Sequence, residues 1–271
     1  MSADLPKILV FSDSRGRGIQ EFIQQHPESC KYDNIVRILP GRDLIQIAHA
    51  ATQVINNLPS EKFYCVIFAG ICGLTERKTI LGTRRIHYPL DNRASKSQNI
   101  ITTIQDLKQV YSSKINICTI IPASLQKYFN YHNPNKDLPQ GLEVEQAALL
   151  EDIEHINSNI TQVNAGSITT INLAKRFQRY AKKKRQKVSA LSYRRVSRFV
   201  DRDLPDGVHL SEEAKLTCFN LIYNSAIRDL NLQNNHTSST EEIELSSQED
   251  SDTDWDFKRK PRDNRPVTCV L

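Results

Sequence analysis

The chain reads Ile8-Leu9-Val10-Phe11-Ser12-Asp13-Ser14-Arg15 near its start, and this stretch sets the expected fold. Four consecutive apolar residues are typical of a short strand that is buried on both faces. The Ser12-Asp13-Ser14 sequence that follows is made of residues that favour turns. We therefore expect a turn that presents the Ser14 hydroxyl at the carboxyl end of a parallel strand.

A second stretch, near the other end, reads Leu204-Pro205-Asp206-Gly207-Val208-His209-Leu210-Ser211. Serine is a weak nucleophile at neutral pH. It needs an imidazole that takes its proton and a third group that holds the imidazole in the right tautomer. His209 and Asp206 have the chemistry for those two roles. The alternative is a turn that leads into a helix capped by Ser211.

Apolar runs alternate with helical patterns between these two stretches. Further buried strands are expected at 35–39, 63–69 and 115–121, with a short fifth strand at 167–171. Helical periodicity predicts helices at 17–25, 44–57, 97–111, 142–160 and 211–230. Strands that alternate with helices in this way predict an α/β fold: a three-layer α/β/α sandwich around a flavodoxin-like parallel sheet of about five strands.

The order of these motifs resembles that of the SGNH (GDSL-type) hydrolases, a family of esterases and lipases. Ser12-Asp13-Ser14 stands where that family has Gly-Asp-Ser, Gly41 follows the second strand, and the sequence from Asp206 to His209 matches the family's Asp-x-x-His block. The resemblance implies a catalytic triad of Ser14, His209 and Asp206. It also implies an oxyanion hole formed by Ser14, Gly41 and the third-block position, which here is Cys72.

Cys72 departs from the family pattern, because the third block is normally Gly-x-Asn and this chain has Gly70-Ile71-Cys72. A thiol is a weak hydrogen-bond donor, and the loss of one oxyanion donor costs about 10²- to 10³-fold in turnover. We therefore expect a slow acyl hydrolase acting on a small carboxylic ester. Cys72 as the nucleophile, or as a residue that only fills space, are the alternatives at this position.

A strongly basic segment favours a different class of function. A helix with one apolar face is expected within residues 173–202, and its candidate anion contacts are Lys175, Arg176, Arg179, Lys182, Lys183, Lys184 and Arg185. A second basic cluster, Arg77, Lys78, Arg84 and Arg85, is expected in a long loop after the third strand. Binding of RNA or single-stranded nucleic acid by a catalytically reduced, mobile-element-derived domain of this type is the alternative function.

The bland interpretation of these charges is a solvated face. A third interpretation is an active-site mouth that favours anionic esters, with Arg15, Arg17 and Arg42 around it.

Composition bounds the remaining possibilities. The 271 residues are 39% hydrophobic, which suits one domain, expected at 1–232, followed by a disordered acidic and then basic tail at 233–271. No apolar run is long enough to cross a membrane, and the start lacks the pattern of a signal peptide, so an intracellular, cytoplasmic protein is expected. The six cysteines lack metal-site spacing. They are expected to be reduced, and no metal or cofactor is expected.

Overall fold

A computed structural model describes most of the chain. The described residues are 5–58, 62–80, 82–165, 171–180, 197–199 and 203–238. Within these ranges, no helix combines the length and the apolar character that a membrane crossing requires.

The centre of the molecule is a four-stranded parallel sheet. Its strands are β1 (Lys7–Ser12), β2 (Asp33–Ile38), β3 (Phe63–Phe68) and β6 (Ile115–Ile117), and their order in the sheet is β2-β1-β3-β6. Every residue of β1 and β3 is buried, as their unbroken apolar sequences predict. The expected fifth strand lies outside the described residues except for Ile171, whose carbonyl accepts a hydrogen bond from the Thr119 amide at 3.3 Å.

Seven helices flank the sheets in the described part of the chain. They are α1 (Ile19–Gln25), α2 (Leu44–Asn56), α3 (Arg93–Tyr111), α4 (Leu125–His132), α5 (Leu142–Val163), α6 (Leu173–Phe177) and α7 (Glu212–Ser238). Alternate strand residues point to opposite faces, so Leu9 and Phe11 pack with α2, α3 and α5, while Ile8 and Val10 pack with α1 and α7. The result is the expected three-layer α/β/α sandwich.

The predicted loop after the third strand is instead an antiparallel hairpin of β4 (Glu76–Ile80) and β5 (Thr83–His87). Asn133 at the end of α4 holds this hairpin, because its side chain accepts from the Arg84 amide at 3.0 Å and donates to the Arg84 carbonyl at 2.6 Å. Arg77, Lys78 and Arg84 are exposed on the hairpin. The basic cluster therefore sits on a regular, anchored element.

The expected basic helix within 173–202 is wrong at residues 178–180 and 197–199, which form strands, while residues 181–196 and 200–202 lie outside the described part of the chain. Helix α6 ends at Phe177, and β7 (Gln178–Tyr180) then pairs antiparallel with β8 (Ser197–Phe199). The strands form here because their ladder supplies backbone hydrogen bonds that sequence periodicity does not reveal.

The last helix is longer than predicted. Helix α7 continues to Ser238, past the expected end at residue 230 and past the domain boundary placed at 232. The polar residues after Leu230 can extend a helix already nucleated by the buried face of α7, because each added residue costs less than the nucleus did. Residues 239–271 lie outside the described part of the chain.

Candidate active site

Ser14 begins a short 3-10 turn, Ser14–Gly16, directly after β1. Asp13 caps this turn, since its Oδ1 accepts a hydrogen bond from the Arg15 amide at 2.8 Å. Strand β1 is tied to β3 at the same end, where the Ser12 hydroxyl donates to the Phe68 carbonyl at 2.6 Å. The turn therefore holds Ser14 at the carboxyl edge of the sheet, where ligands bind in open α/β folds.

Asp206 and His209 form a close pair. Asp206 Oδ2 lies 2.6 Å from His209 Nδ1, and Asp206 Oδ1 accepts hydrogen bonds from the amides of Val208 at 2.9 Å and His209 at 2.7 Å. Burial acts to raise the pKa of Asp206, but the hydrogen bonds from the His209 side chain and from these amides outweigh it and hold that pKa well below its usual range. The carboxylate is therefore charged at neutral pH and fixes the orientation of the imidazole.

Gly207 packs the loop that carries Asp206 and His209 against the start of α4. Its backbone has a φ of +83°, and a Cβ added there would lie 2.5 Å from the Ser124 carbonyl oxygen. The Ser124 amide in turn donates to the Gly207 carbonyl at 2.8 Å. Only glycine meets both requirements, so the position of His209 depends on this contact with α4.

Arg15 joins the two motifs. Its Nε donates to the Val208 carbonyl at 3.1 Å, and its Nη1 donates to the Ile121 carbonyl in the segment after β6. Arg15 is only 2% exposed, so its expected place at the mouth of the site is wrong. The side chain turns inward because two backbone carbonyls and the nearby Asp13 carboxylate compensate its charge. Arg17 and Arg42 are exposed, as a place at the mouth requires.

The geometry also brings the third-block residues to the Ser14 turn. The Gly70 amide donates to Asp13 Oδ2 at 2.7 Å, and the Cys72 Sγ lies 4.0 Å from the same oxygen. Burial raises the pKa of the Cys72 thiol, and the Asp13 charge raises it further. A protonated thiol is a poor nucleophile, which disfavours the alternative of Cys72 as the attacking group.

Gly41 lies in the exposed turn between β2 and α2, with a φ of +77° and no atom within 4 Å of a Cβ added there. The neighbouring end of β2 is joined to β1, because the Leu39 amide donates to the Ser12 carbonyl at 2.7 Å. Gly41 thus lies at the same edge of the sheet as Ser14. The open space beside it leaves room for a ligand.

Among the described residues, no hydrogen bond joins the Ser14 hydroxyl to the His209 ring. The two residues are connected through their neighbours in the chain. Arg15 follows Ser14, Val208 precedes His209, and Arg15 Nε donates a hydrogen bond to the Val208 carbonyl. Catalytic hydrogen bonds are often long before substrate binds and shorten in the complex.

Esterase structures resemble most of this chain. A crystal structure of an acetyl xylan esterase covers 81% of it and 98% of that protein, with 14% identity and a TM-score of 0.46. A lipase/acylhydrolase from Enterococcus faecalis covers 83% of it and 97% of that protein, with 16% identity and a TM-score of 0.45. The SGNH-hydrolase family esterase AlinE4 covers 63% of it and 79% of that protein, with 14% identity and a TM-score of 0.36. No family model and no curated protein matches the sequence.

The residues predicted to bind anions are only partly described. Lys175 and Arg176 are exposed on α6, and Arg179 lies in β7, whereas Lys182, Lys183, Lys184 and Arg185 lie outside the described residues. The sequence placed Arg15 at the mouth of the site, and its buried role in joining the two motifs was missed. The available signal was its place directly after the serine, but an arginine there reads equally well as a solvated turn residue.

Proposed function

We propose that this protein hydrolyses small carboxylic esters with Ser14 as nucleophile, His209 as general base and Asp206 as the group that orients it. The observation that carries the proposal is the 2.6 Å contact between Asp206 and His209, in a loop that Arg15 ties to the turn of Ser14. The orienting pair and its link to the serine turn support a Ser-His-Asp mechanism.

In the proposed reaction, Ser14 Oγ attacks the ester carbonyl and its proton passes to His209 Nε2. Asp206 accepts the hydrogen bond from His209 Nδ1 and stabilises the imidazolium that forms. The tetrahedral intermediate collapses, and the departing alcohol takes the proton from His209. Water then attacks the acyl-enzyme by the same route, which releases the carboxylic acid and restores Ser14.

The oxyanion site is the weak part of this machinery. The amides of Arg15 and Gly70 are already committed to the two oxygens of Asp13, so neither is a free donor. The amides of Ser14 and Gly41 are the proposed donors. The Cys72 thiol lies within reach of Asp13 and adds little. We therefore expect measurable but slow turnover.

Hydrolysis of p-nitrophenyl acetate and butyrate by the wild-type protein and Ser14→Ala tests the proposal. We expect the rate of Ser14→Ala to fall to the background, and Ser29→Ala, which alters a serine outside the site, to keep the wild-type rate. Fluorophosphonate labelling followed by peptide mass analysis gives a second readout, because the probe reacts once with an activated serine and does not depend on turnover. Equal rates for wild type and Ser14→Ala, together with no label on Ser14, would overturn the proposal.

A second candidate, binding of single-stranded RNA, is favoured by the exposed cations of the β4–β5 hairpin. Arg77, Lys78 and Arg84 are exposed there. Of these three cations, Lys78 is the one that forms an ion pair within the described residues, with Glu76 at 3.3 Å. Each phosphate contact contributes roughly 0.7 to the slope of log affinity against log salt. Filter binding over a salt series should therefore give a steep slope, which the triple change Arg77→Ser, Lys78→Ser and Arg84→Ser should reduce.

The matched control for that experiment is Lys31→Ser, a cation at the opposite, amino end of β2. A flat salt response of the wild-type protein, or an unchanged slope in the triple variant, would remove the hairpin as an RNA-binding surface.

A further inference from the structure

Arg15 is anchored at three points that belong to three separate segments. Its amide donates to Asp13 in the serine turn, its Nε to the carbonyl of Val208 beside His209, and its Nη1 to the carbonyl of Ile121 after β6. The two bonds from the side chain come from a planar guanidinium that holds its donors in a fixed fork, so they fix directions as well as distances.

A contribution to stability does not by itself explain why an arginine is buried at position 15. Arg15 is 2% exposed, and its Nη2 has no hydrogen-bond partner among the described residues. Apolar side chains of similar volume often replace buried charges without loss of stability. A buried cation with one unsatisfied nitrogen therefore needs another explanation.

The close packing around the guanidinium shows that this geometry is specific. A Cβ added to Gly70 would lie 2.4 Å from Asp13 Oδ2 and 3.2 Å from both Cδ and Nε of Arg15. A residue larger than glycine at position 70 would therefore displace the Asp13 carboxylate and crowd the Arg15 side chain.

We propose that Arg15 is a positioning residue that sets the alignment of Ser14 with His209. The inference rests on the triad proposed above and extends it to a residue that touches neither substrate nor reacting atoms. In the described residues the Ser14 hydroxyl and the His209 ring share no hydrogen bond, and the bond from Arg15 to the Val208 carbonyl links the turns that carry them. Its loss would leave the distance between hydroxyl and imidazole poorly defined.

The test compares Arg15→Met and Arg15→Lys in the full-length chain, alone and combined with His209→Ala. A misplacement of about 1 Å can cost 10²-fold in rate, so Arg15→Met should lower kcat by about that factor with KM little changed. Arg15→Lys keeps one charged donor and should fall between Arg15→Met and wild type. In the His209→Ala background, where there is no imidazole to align, Arg15→Met should have little further effect.

The control is Asn164→Ala, which removes another buried side chain that donates to a backbone carbonyl, that of Ile117 at 2.8 Å, and that also has one unpaired polar atom. It should lower the melting temperature and leave kcat unchanged below that temperature. If Arg15→Met does not fold, the comparison rests on Arg15→Lys.

The outcomes separate the two proposals. A wild type that neither hydrolyses ester nor takes up fluorophosphonate overturns the proposed function, and with it the role of Arg15. An active wild type with equally active, folded Arg15 variants overturns only the role of Arg15. Equal losses on substitution of Arg15 with and without His209 would show that Arg15 is merely structural.

Discussion

Arg15 and Val208 are 193 residues apart in the chain, and a 3.1 Å hydrogen bond from Arg15 Nε to the Val208 carbonyl joins them. One follows the candidate nucleophile and the other precedes the candidate base. The bond therefore joins two short motifs from opposite ends of the sequence and holds them together at the carboxyl edge of the sheet.

Asp206→Asn should lower kcat by about 10⁴-fold, because an amide cannot stabilise the imidazolium and favours the wrong tautomer of His209. The 2.6 Å contact with Nδ1 is the interaction that this change alters. Steady-state kinetics on p-nitrophenyl acetate measures the effect. Wild-type turnover in Asp206→Asn would show that the pair has no catalytic role.

Asp206 should also make stability depend on pH. Its pKa in the folded protein is depressed, mainly because hydrogen bonds from His209 and Val208 outweigh the opposing effect of burial. The carboxylate therefore contributes stability above its unfolded pKa of about 3.9, and that contribution is lost as pH falls from there through the lower folded value. Urea unfolding from pH 7 to 2.5 should show that the difference in the free energy of unfolding between wild type and Asp206→Asn narrows below about pH 4. A difference that stays constant with pH would contradict the depressed pKa.

Cys72→Asn should increase kcat, because an amide placed at this position can donate to the oxyanion where the thiol does not. A single donor is worth about 10²- to 10³-fold, and we expect a gain toward the lower figure, since the surrounding residues are adapted to cysteine. Cys72→Ser is the matched control, with a side chain too short to span the same distance as an amide. A Cys72→Asn protein that folds and shows no gain would mean that the oxyanion site has a different construction.

Gly207→Ala should be more destabilising than Gly82→Ala. Both glycines have positive φ, +83° and +71°, but a Cβ at Gly207 would clash with the Ser124 carbonyl and the Tyr128 amide, whereas a Cβ at Gly82 meets no atom within 4 Å. The left-handed backbone costs both variants about 1–2 kcal/mol, and overpacking costs Gly207→Ala about 1–3 kcal/mol more. Urea unfolding measures the difference, and equal losses would show that the loop moves freely away from α4.

Lys108 should produce a rise in stability at alkaline pH. Burial lowers its pKa to about 8, with Asp229 acting in the opposite direction, while its Nζ donates to the carbonyls of Ser112 and Ile115. Between about pH 8 and the unfolded value of about 10.4, the unfolded chain holds more protons, so stability from this group increases with pH. Urea unfolding at pH 7.5 and 9.5 should show that the free energy of unfolding of the wild type rises with pH relative to that of Lys108→Met. If it does not rise, the burial of the charge is contradicted.

The strands and the principal helices could be predicted because their signals are local. The apolar runs of β1 and β3, and the Asp43 cap that begins α2, act on their own neighbours. The hairpin after β3 was missed because its residues are polar, and it is held by Asn133 from α4, about 50 residues later. The β7–β8 pair was missed for a similar reason, because a ladder between distant segments replaced a locally plausible helix.

The sequence by itself determined which chemical groups are present and where the strands and turns that carry Ser14 and Gly41 lie along the chain. Periodicity and turn chemistry are enough for that, since they act over a few residues. The expected place of Asp206 and His209 beside them came from the resemblance in motif order. Only the tertiary structure decided that Arg15 turns inward to the Val208 carbonyl and that Cys72 lies against Asp13. The direction of a side chain depends on the partners that surround it, and those partners come from distant parts of the chain.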